Sequence, residues 1–202
     1  IKKASPDIIH SNSAATRYTF SGAVISRWIG IPFVWHNRVI ESAPLREKII
    51  AALSSRIIVI SDAVGEKFKS MRIKRKIVKI HNGVNTSEFA PHAQDIPKDK
   101  ILKEIGINNT NLHEKIIGVF SRLERWKGHT LFLKAFAKIM RAGFPMKALI
   151  VGGGAGNAES EIKALAANLG ILNHIIFAGY RRDVARLMNI CDIIVNQIGR
   201  AS

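Results

Sequence analysis

Short apolar runs alternate along the chain with stretches whose apolar residues recur every three to four positions. A run of four to six apolar residues suits a buried strand, and the longer spacing suits an amphipathic helix. This predicts strands over residues 7–10, 33–36, 56–60 and 75–80. Helices are predicted over 14–29, stopped by Gly30 and Pro32, and over 45–53 after Pro44. A third begins at Ser61 or Asp62 as its cap and runs to about Met71. His81-Asn82-Gly83 closes this series, and Asn-Gly there predicts a tight turn with positive φ. Residues 86–98, with Pro91 and Pro97, read as a surface crossing. The rhythm then restarts. Helices are predicted over 99–105, 130–142, 159–169 and 183–189, and strands over 115–120, 146–151, 175–177 and 192–196.

Strands alternating with helices make crossover units and mostly parallel sheets. The predicted class is α/β, with two doubly wound domains at residues 1–90 and 91–202. Each series reads as incomplete. The first opens on a strand with no unit before it, and the second stops after the strand ending at Asn196. Open parallel sheets bind ligands at the carboxyl ends of their strands, so the loops after those strands are where chemistry is expected.

Composition narrows the classes. With 47% hydrophobic residues, the chain is no disordered basic tail. No run approaches the roughly 18–20 apolar residues of a membrane span. The single cysteine, Cys191, excludes a disulfide framework and a multi-cysteine zinc site, and fits a reducing cytoplasm. The opening Ile-Lys-Lys-Ala-Ser-Pro has no apolar core of a signal peptide and no initiating Met, so the chain reads as a piece of something longer. The formal net charge is +16, with 15 basic and 7 acidic residues before residue 96 and 16 and 8 from there on. The densest cluster is Lys67, Lys69, Arg72, Lys74, Arg75, Lys76 and Lys79. It reads either as a solvated helix end and strand edge or as a surface for anionic lipid or nucleic acid.

Three places carry candidate chemistry. In the segment from Gly118 to Gly128, a buried strand delivers Ser121 to its carboxyl end, with Arg122 and Lys127 in the loop before the next helix. Two cations beside a helix N-terminus suit a diphosphate, and solvated loop charges are the plain alternative. The run from Val151 to Gly156 is a glycine turn between strand and helix. It lacks the acidic ribose ligand of a dinucleotide fingerprint some 20 residues on. His36 and His10 each end a predicted strand. No His/Asp/Glu spacing resembles a metal site, and Cys191 reads as a core residue.

Taken in order, these pieces resemble family 4 glycosyltransferases of the GT-B architecture, retaining enzymes with two facing Rossmann-like domains. Ile57-Ile-Val-Ile-Ser-Asp-Ala-Val64 resembles a strand-then-serine segment late in the N-terminal domain. Ile80-His-Asn-Gly-Val-Asn85 with Phe89 and Pro91 resembles the crossing between domains. Ser121-Arg-Leu with Lys127-Gly128 resembles the donor-phosphate segment. Leu149-Ile-Val-Gly-Gly-Gly154, Leu169-Gly170, Ile176-Phe-Ala-Gly179, Asp183-Val184 and Asp192-Ile-Ile-Val195 follow the order of the C-terminal domain.

The resemblance implies transfer of a sugar from a nucleotide-sugar donor to a hydroxyl of a glycan or lipid-linked acceptor, with retention and no metal or other cofactor. The product would belong to a bacterial cell-surface polysaccharide, lipopolysaccharide or glycolipid. It assigns Arg122 and Lys127 to the donor diphosphate and the departing charge, with Ser121 beside them. Gly154 falls in the glycine turn, Gly179, Tyr180 and Arg181 beside the base, and His36 near the transferred sugar. Lys67 to Lys79 would face an anionic membrane, placing the protein in the cytoplasm or on the inner face of its membrane. No nucleic acid is expected.

There are departures. Ser121 stands where the family has Gly, and the glycine-rich N-terminal loop is absent. The Glu-x7-Glu motif has no counterpart beyond a faint likeness in Gln197-Ile-Gly-Arg-Ala-Ser202. The chain thus reads as the middle of such an enzyme. Alternatives are a nucleotide-sugar 2-epimerase of the same architecture and a basic nucleic-acid-binding domain, each lacking its own residue constellation.

Overall fold

The structure is a computed structural model and describes residues 5–40, 43–91, 97–106, 114–154 and 156–196. The chain forms two compact units, Ile1–Val84 and Asn85–Ser202.

Unit 1 is a parallel four-stranded sheet in sequential order: β1 (Ile9–Asn12), β2 (Phe33–Asn37), β3 (Arg56–Val59) and β4 (Ile77–Lys79). Helices α1 (Arg17–Ile29), α2 (Pro44–Leu53) and α3 (Asp62–Glu66) make the crossovers. Right-handed connections that always step the same way put all three helices on one face. Strand alternation agrees: Phe33, Trp35, Ile57 and Val59 point to the core with Ala23, Ile50, Ala51, Val64 and Phe68. Trp35 meets Phe68 edge-on and donates its Nε1–H to the Ser13 carbonyl at 2.9 Å. The intervening residues of β2, Val34 and His36, lie on the opposite face.

Local chemistry sets the ends. Thr16 caps α1 by accepting from the Thr19 N–H, and Gly30 closes it at φ 75°. Ser61 caps α3 through the Val64 N–H. The helix predicted to reach Met71 is α-helical only to Glu66, after which the chain continues in turns. Asn82-Gly83 adopts no positive φ. It is irregular chain, and Asn82 Oδ1 accepts from Arg38 at 3.1 Å.

The basic cluster is largely engaged. Lys67, its side chain 11% exposed, donates to Glu47 Oε1 at 2.6 Å and to the Val39 carbonyl at 3.1 Å. Lys76 reaches the Ala51 and Ala52 carbonyls, Lys69 pairs with Glu66, and Lys79 with Asp62. Arg72, Lys74 and Arg75 are exposed. The cluster is therefore not one surface: Lys67, a side chain long enough to reach back 20 residues, belongs to the interior.

Unit 2 is a parallel sheet in the order β7-β6-β5-β8. Its elements are α4 (Lys98–Glu104), β5 (Lys115–Phe120), α5 (His129–Arg141), β6 (Met146–Val151), α6 (Ala158–Asn168), β7 (Ile175–Gly179), α7 (Val184–Asn189) and β8 (Ile193–Ile194). The chain steps from β5 outward to β7, then returns to place β8 on the other side of β5. One core joins α5 and α6 to Ile117, Ala148, Ile150 and Ile175. A second joins Ile101, Leu102, Leu187 and Ile190 to Ile116, Leu149 and Val151. Both faces are thus covered, which is why β5 and β6 read as continuous apolar runs.

Asp192 staples this sheet. Its carboxylate accepts from Lys115 Nζ at 2.8 Å, the Ile116 N–H at 2.8 Å and Lys98 Nζ at 3.4 Å. Burial works against its ionisation, yet these donors hold its carboxyl down at about 2. Cys191 donates to the Leu187 carbonyl, and burial pushes its thiol up to about 12, so it is no nucleophile at neutral pH.

Candidate functional site

The reversal of strand order puts a topological switch point between β5 and β8, at the carboxyl end of β5. There Phe120 leads into Ser121 and Arg122. A turn of 3-10 helix, Arg125–Lys127, and Gly128 at φ 75° then open α5.

Three loops are stitched together at this end. The Ser121 N–H donates to the Val151 carbonyl at 3.0 Å and the Leu123 N–H to Gly153 at 3.0 Å. Gly152 N–H donates to the Gly179 carbonyl at 2.8 Å. Gly152 is required: at φ +154°, a Cβ there would lie 2.0 Å from the Ser121 carbonyl oxygen. At Gly154 a Cβ would sit 2.9 Å from Leu123 Cβ, so this glycine lets the loop pack on a buried leucine. Gly179, at φ +65°, ends β7 in open space, and the Tyr180 side chain that follows is 76% exposed. Arg181 is held by Asp183 through a two-pronged pair at 2.8 Å, which raises the basicity of the arginine and lowers the carboxyl of its partner.

The two cations singled out in the sequence are accessible and loosely engaged. Arg122 pairs with Glu124 at 2.9 Å, its side chain 71% exposed. Lys127 lies 4.0 Å above the ring of Trp126, itself half exposed. Exposed pairs of this kind are worth about 0–1 kcal/mol and give way to a stronger anion. Lys127, Ser121, His129 and Asn196 line a cavity of about 360 Å³ together with apolar residues that include Ile117, Val119, Leu131, Phe132, Phe136 and Ile139. With the N-terminus of the 13-residue α5 adjoining, this is a place where positive charge and free backbone N–H groups meet.

Two residues here carried no signal in the sequence. His129 is 2% exposed, with Nε2 3.1 Å from the Arg122 carbonyl oxygen and 3.2 Å from Ser121 Oγ. Glu124 restrains Arg122 while its own N–H donates to the Arg122 carbonyl at 2.8 Å. Neither stands at a position that spacing alone marks. Residues 197–202, with the faint likeness to the Glu-x7-Glu motif, lie outside the described residues.

Unit 1 has its own cluster. His36, near the carboxyl end of β2, stacks on His10 of β1 with ring centroids 5.8 Å apart and planes 10° apart. Its Nε2 is buried with no hydrogen-bond partner among the described residues. Burial, then the charges of His10 and Arg38, lower its pKa. The ring is therefore neutral at pH 7, able to exchange hydrogen bonds with a hydroxyl.

The family model for group 1 glycosyl transferases matches residues 100–197, and that for glycosyltransferase family 4 matches residues 1–88. Among solved structures, a glycosyltransferase from Rickettsia africae matches 97% of this chain and 52% of its own, at 27% identity and TM-score 0.77. Anabaena HepE in complex with UDP and glucose matches 94% of this chain and 52% of its own, at 25% identity and TM-score 0.75. A curated relative, the D-inositol 3-phosphate glycosyltransferase of Corynebacterium kroppenstedtii, is 29% identical over 119 residues, covering 55% of this chain and 26% of its own length. The chain thus spans about half the length of these solved relatives.

Proposed function

Since the chain belongs to the group 1 glycosyltransferases of the GT-B architecture, we propose that unit 2 binds the diphosphate of a nucleotide sugar and unit 1 serves the acceptor side. The observation that carries this is the placement of Arg122 and Lys127 on the loop after β5, at the switch point of the sheet and against the start of α5. In the transfer, the acceptor hydroxyl oxygen bonds to the anomeric carbon and the bond from that carbon to the phosphate oxygen breaks. The nucleoside diphosphate leaves with the electron pair, and the hydroxyl proton passes to it or to water. Arg122 and Lys127 stabilise the charge that develops on the leaving oxygens. Ser121 and Gly154 shape the loop, and Gly179, Tyr180 and Arg181 form the base side, where Arg181 acts through its pair with Asp183 as a fixed wall. His36 serves as a neutral hydrogen-bond partner for a sugar hydroxyl. No metal or other cofactor has a part in this reading. Retention at the anomeric carbon and an acceptor from a cell-surface glycan or glycolipid complete it.

UDP is the first nucleotide to test, since HepE was solved with it. Calorimetry of the chain with UDP, GDP and ADP is expected to give binding for one of them. Arg122→Ala with Lys127→Ala should weaken it at least about 100-fold, two charge-assisted contacts being worth about 1.5–3 kcal/mol each. Absence of binding by all three, or an unchanged affinity in the double variant, refutes the reading.

We also propose that unit 1 meets an anionic membrane at its cytoplasmic face, through α1 instead of Lys67. The outward side of α1 presents Tyr18, Val24, Ile25 and Trp28, exposed at 74, 42, 39 and 82%, and the helix carries Arg17 and Arg27 with no acidic residue. An aromatic and aliphatic face with arginines suits the headgroup boundary. In co-sedimentation, vesicles with 30% or so phosphatidylglycerol should retain the protein, and Trp28→Ser with Tyr18→Ser should release most of it. Equal retention on neutral vesicles sinks this reading.

A further inference from the structure

Ser121, in the loop after β5, meets a second polar residue eight positions on. The Ser121 hydroxyl lies 3.2 Å from His129 Nε2, and the same nitrogen lies 3.1 Å from the Arg122 carbonyl oxygen. A carbonyl only accepts, so Nε2 carries the proton and donates to it. The Nδ1 atom is buried with no hydrogen-bond partner among the described residues. His129, 2% exposed in the first turn of α5, lies on the same buried face of the helix as Leu133 and Phe136. It is therefore a rigid post, joined to helix rather than to loop.

The loop needs such a post. The Leu123 N–H bonds to Gly153 and the Ser121 N–H to Val151, so both neighbours of Arg122 are anchored on the β6 side. The peptide that leaves Arg122 is anchored from the α5 side by His129 and from within the loop by the Glu124 N–H. With the backbone held from both directions, the 71%-exposed guanidinium swings from a fixed base.

We propose that His129, backed by Ser121, is a positioning residue that fixes the Arg122 backbone for binding the donor diphosphate. This rests on the donor reading above. His129 touches no substrate. Its contribution is pre-organisation: without the bond, the loop must be ordered at the moment of binding.

The test compares His129→Met, which keeps volume and removes the donor, with His129→Gln, which restores an N–H, and with Arg122→Ala. UDP affinity is measured by calorimetry and folding by thermal melts of the whole chain. The expected result is a loss of about fivefold or more for Met, recovery to within twofold of the unsubstituted protein for Gln, and similar melting temperatures for the two. Met binding UDP within twofold of the unsubstituted protein, Gln failing as badly as Met, or Met failing to fold each overturns the proposal, the last in favour of a purely structural histidine. A separate outcome, affinity unaffected by Arg122→Ala or no binding of UDP, GDP or ADP, brings down the donor reading itself.

Discussion

Gly152→Ala is expected to abolish the nucleotide binding proposed for unit 2 and to lower its melting temperature by well over 10 °C. The added Cβ would sit 2.0 Å from the Ser121 carbonyl oxygen and 2.7 Å from its carbon, distances no side-chain adjustment relieves because the obstacle is backbone. Neither partner can retreat. Ser121 is tied to Val151 and Gly152 to Gly179 by hydrogen bonds of 3.0 and 2.8 Å. Backbone strain of about 1–3 kcal/mol at φ +154° adds to overpacking of about 1–3 kcal/mol. Such a sum is a large part of the stability of a domain this size. Gly153→Ala is the control. Its Cβ would meet Tyr180 at an ordinary 3.5 Å, with no positive φ, so the melting temperature should stay within a few degrees. A Gly152→Ala protein that melts within 2 °C of the unsubstituted one refutes the stitched-loop account.

Lys67→Met should cost unit 1 about 3–5 kcal/mol, enough to leave it largely unfolded near its normal midpoint. The reason is what stays behind. Glu47 is 1% exposed, on α2, and its carboxylate meets Lys67 Nζ at 2.6 Å. Removing the ammonium takes from this buried carboxylate its charge partner at 2.6 Å and from the Val39 carbonyl its Lys67 donor. Combining Lys67→Met with Glu47→Gln removes both members of the ion pair and should recover most of the loss in denaturant melts. A single variant as stable as the parent means that the pair does not hold α2 to the turns after α3.

These residues show what a sequence conveys. Strands 115–120 and 146–151 appear where predicted, because a strand covered on both faces must be apolar throughout. The first strand lies two residues later than expected, at Ile9–Asn12, where pairing with Phe33 sets the register. The last shrinks to Ile193–Ile194. Arg122 and Lys127 were visible because they sit in a loop after an apolar run. Gly152 was visible as one of three glycines, but which of them is indispensable depends on where Ser121 lies across the sheet. His129 and Lys67 were opaque for a similar reason. A buried histidine beside a carbonyl and a lysine reaching a glutamate 20 residues away have no local pattern.

The position of β8 also has a temporal side. In unit 1 each strand pairs with the one made just before it, so contacts can form in the order of synthesis. In unit 2 the staple between Lys115 and Asp192 closes a loop of 77 residues. Its closure costs about 0.8 kcal/mol more than joining strands about 30 residues apart, by the logarithmic growth of loop entropy. A chain leaving the ribosome can pair the four described strands of unit 1 in turn. The edge of unit 2 beside the loop after β5 closes only once the last described strand has been made.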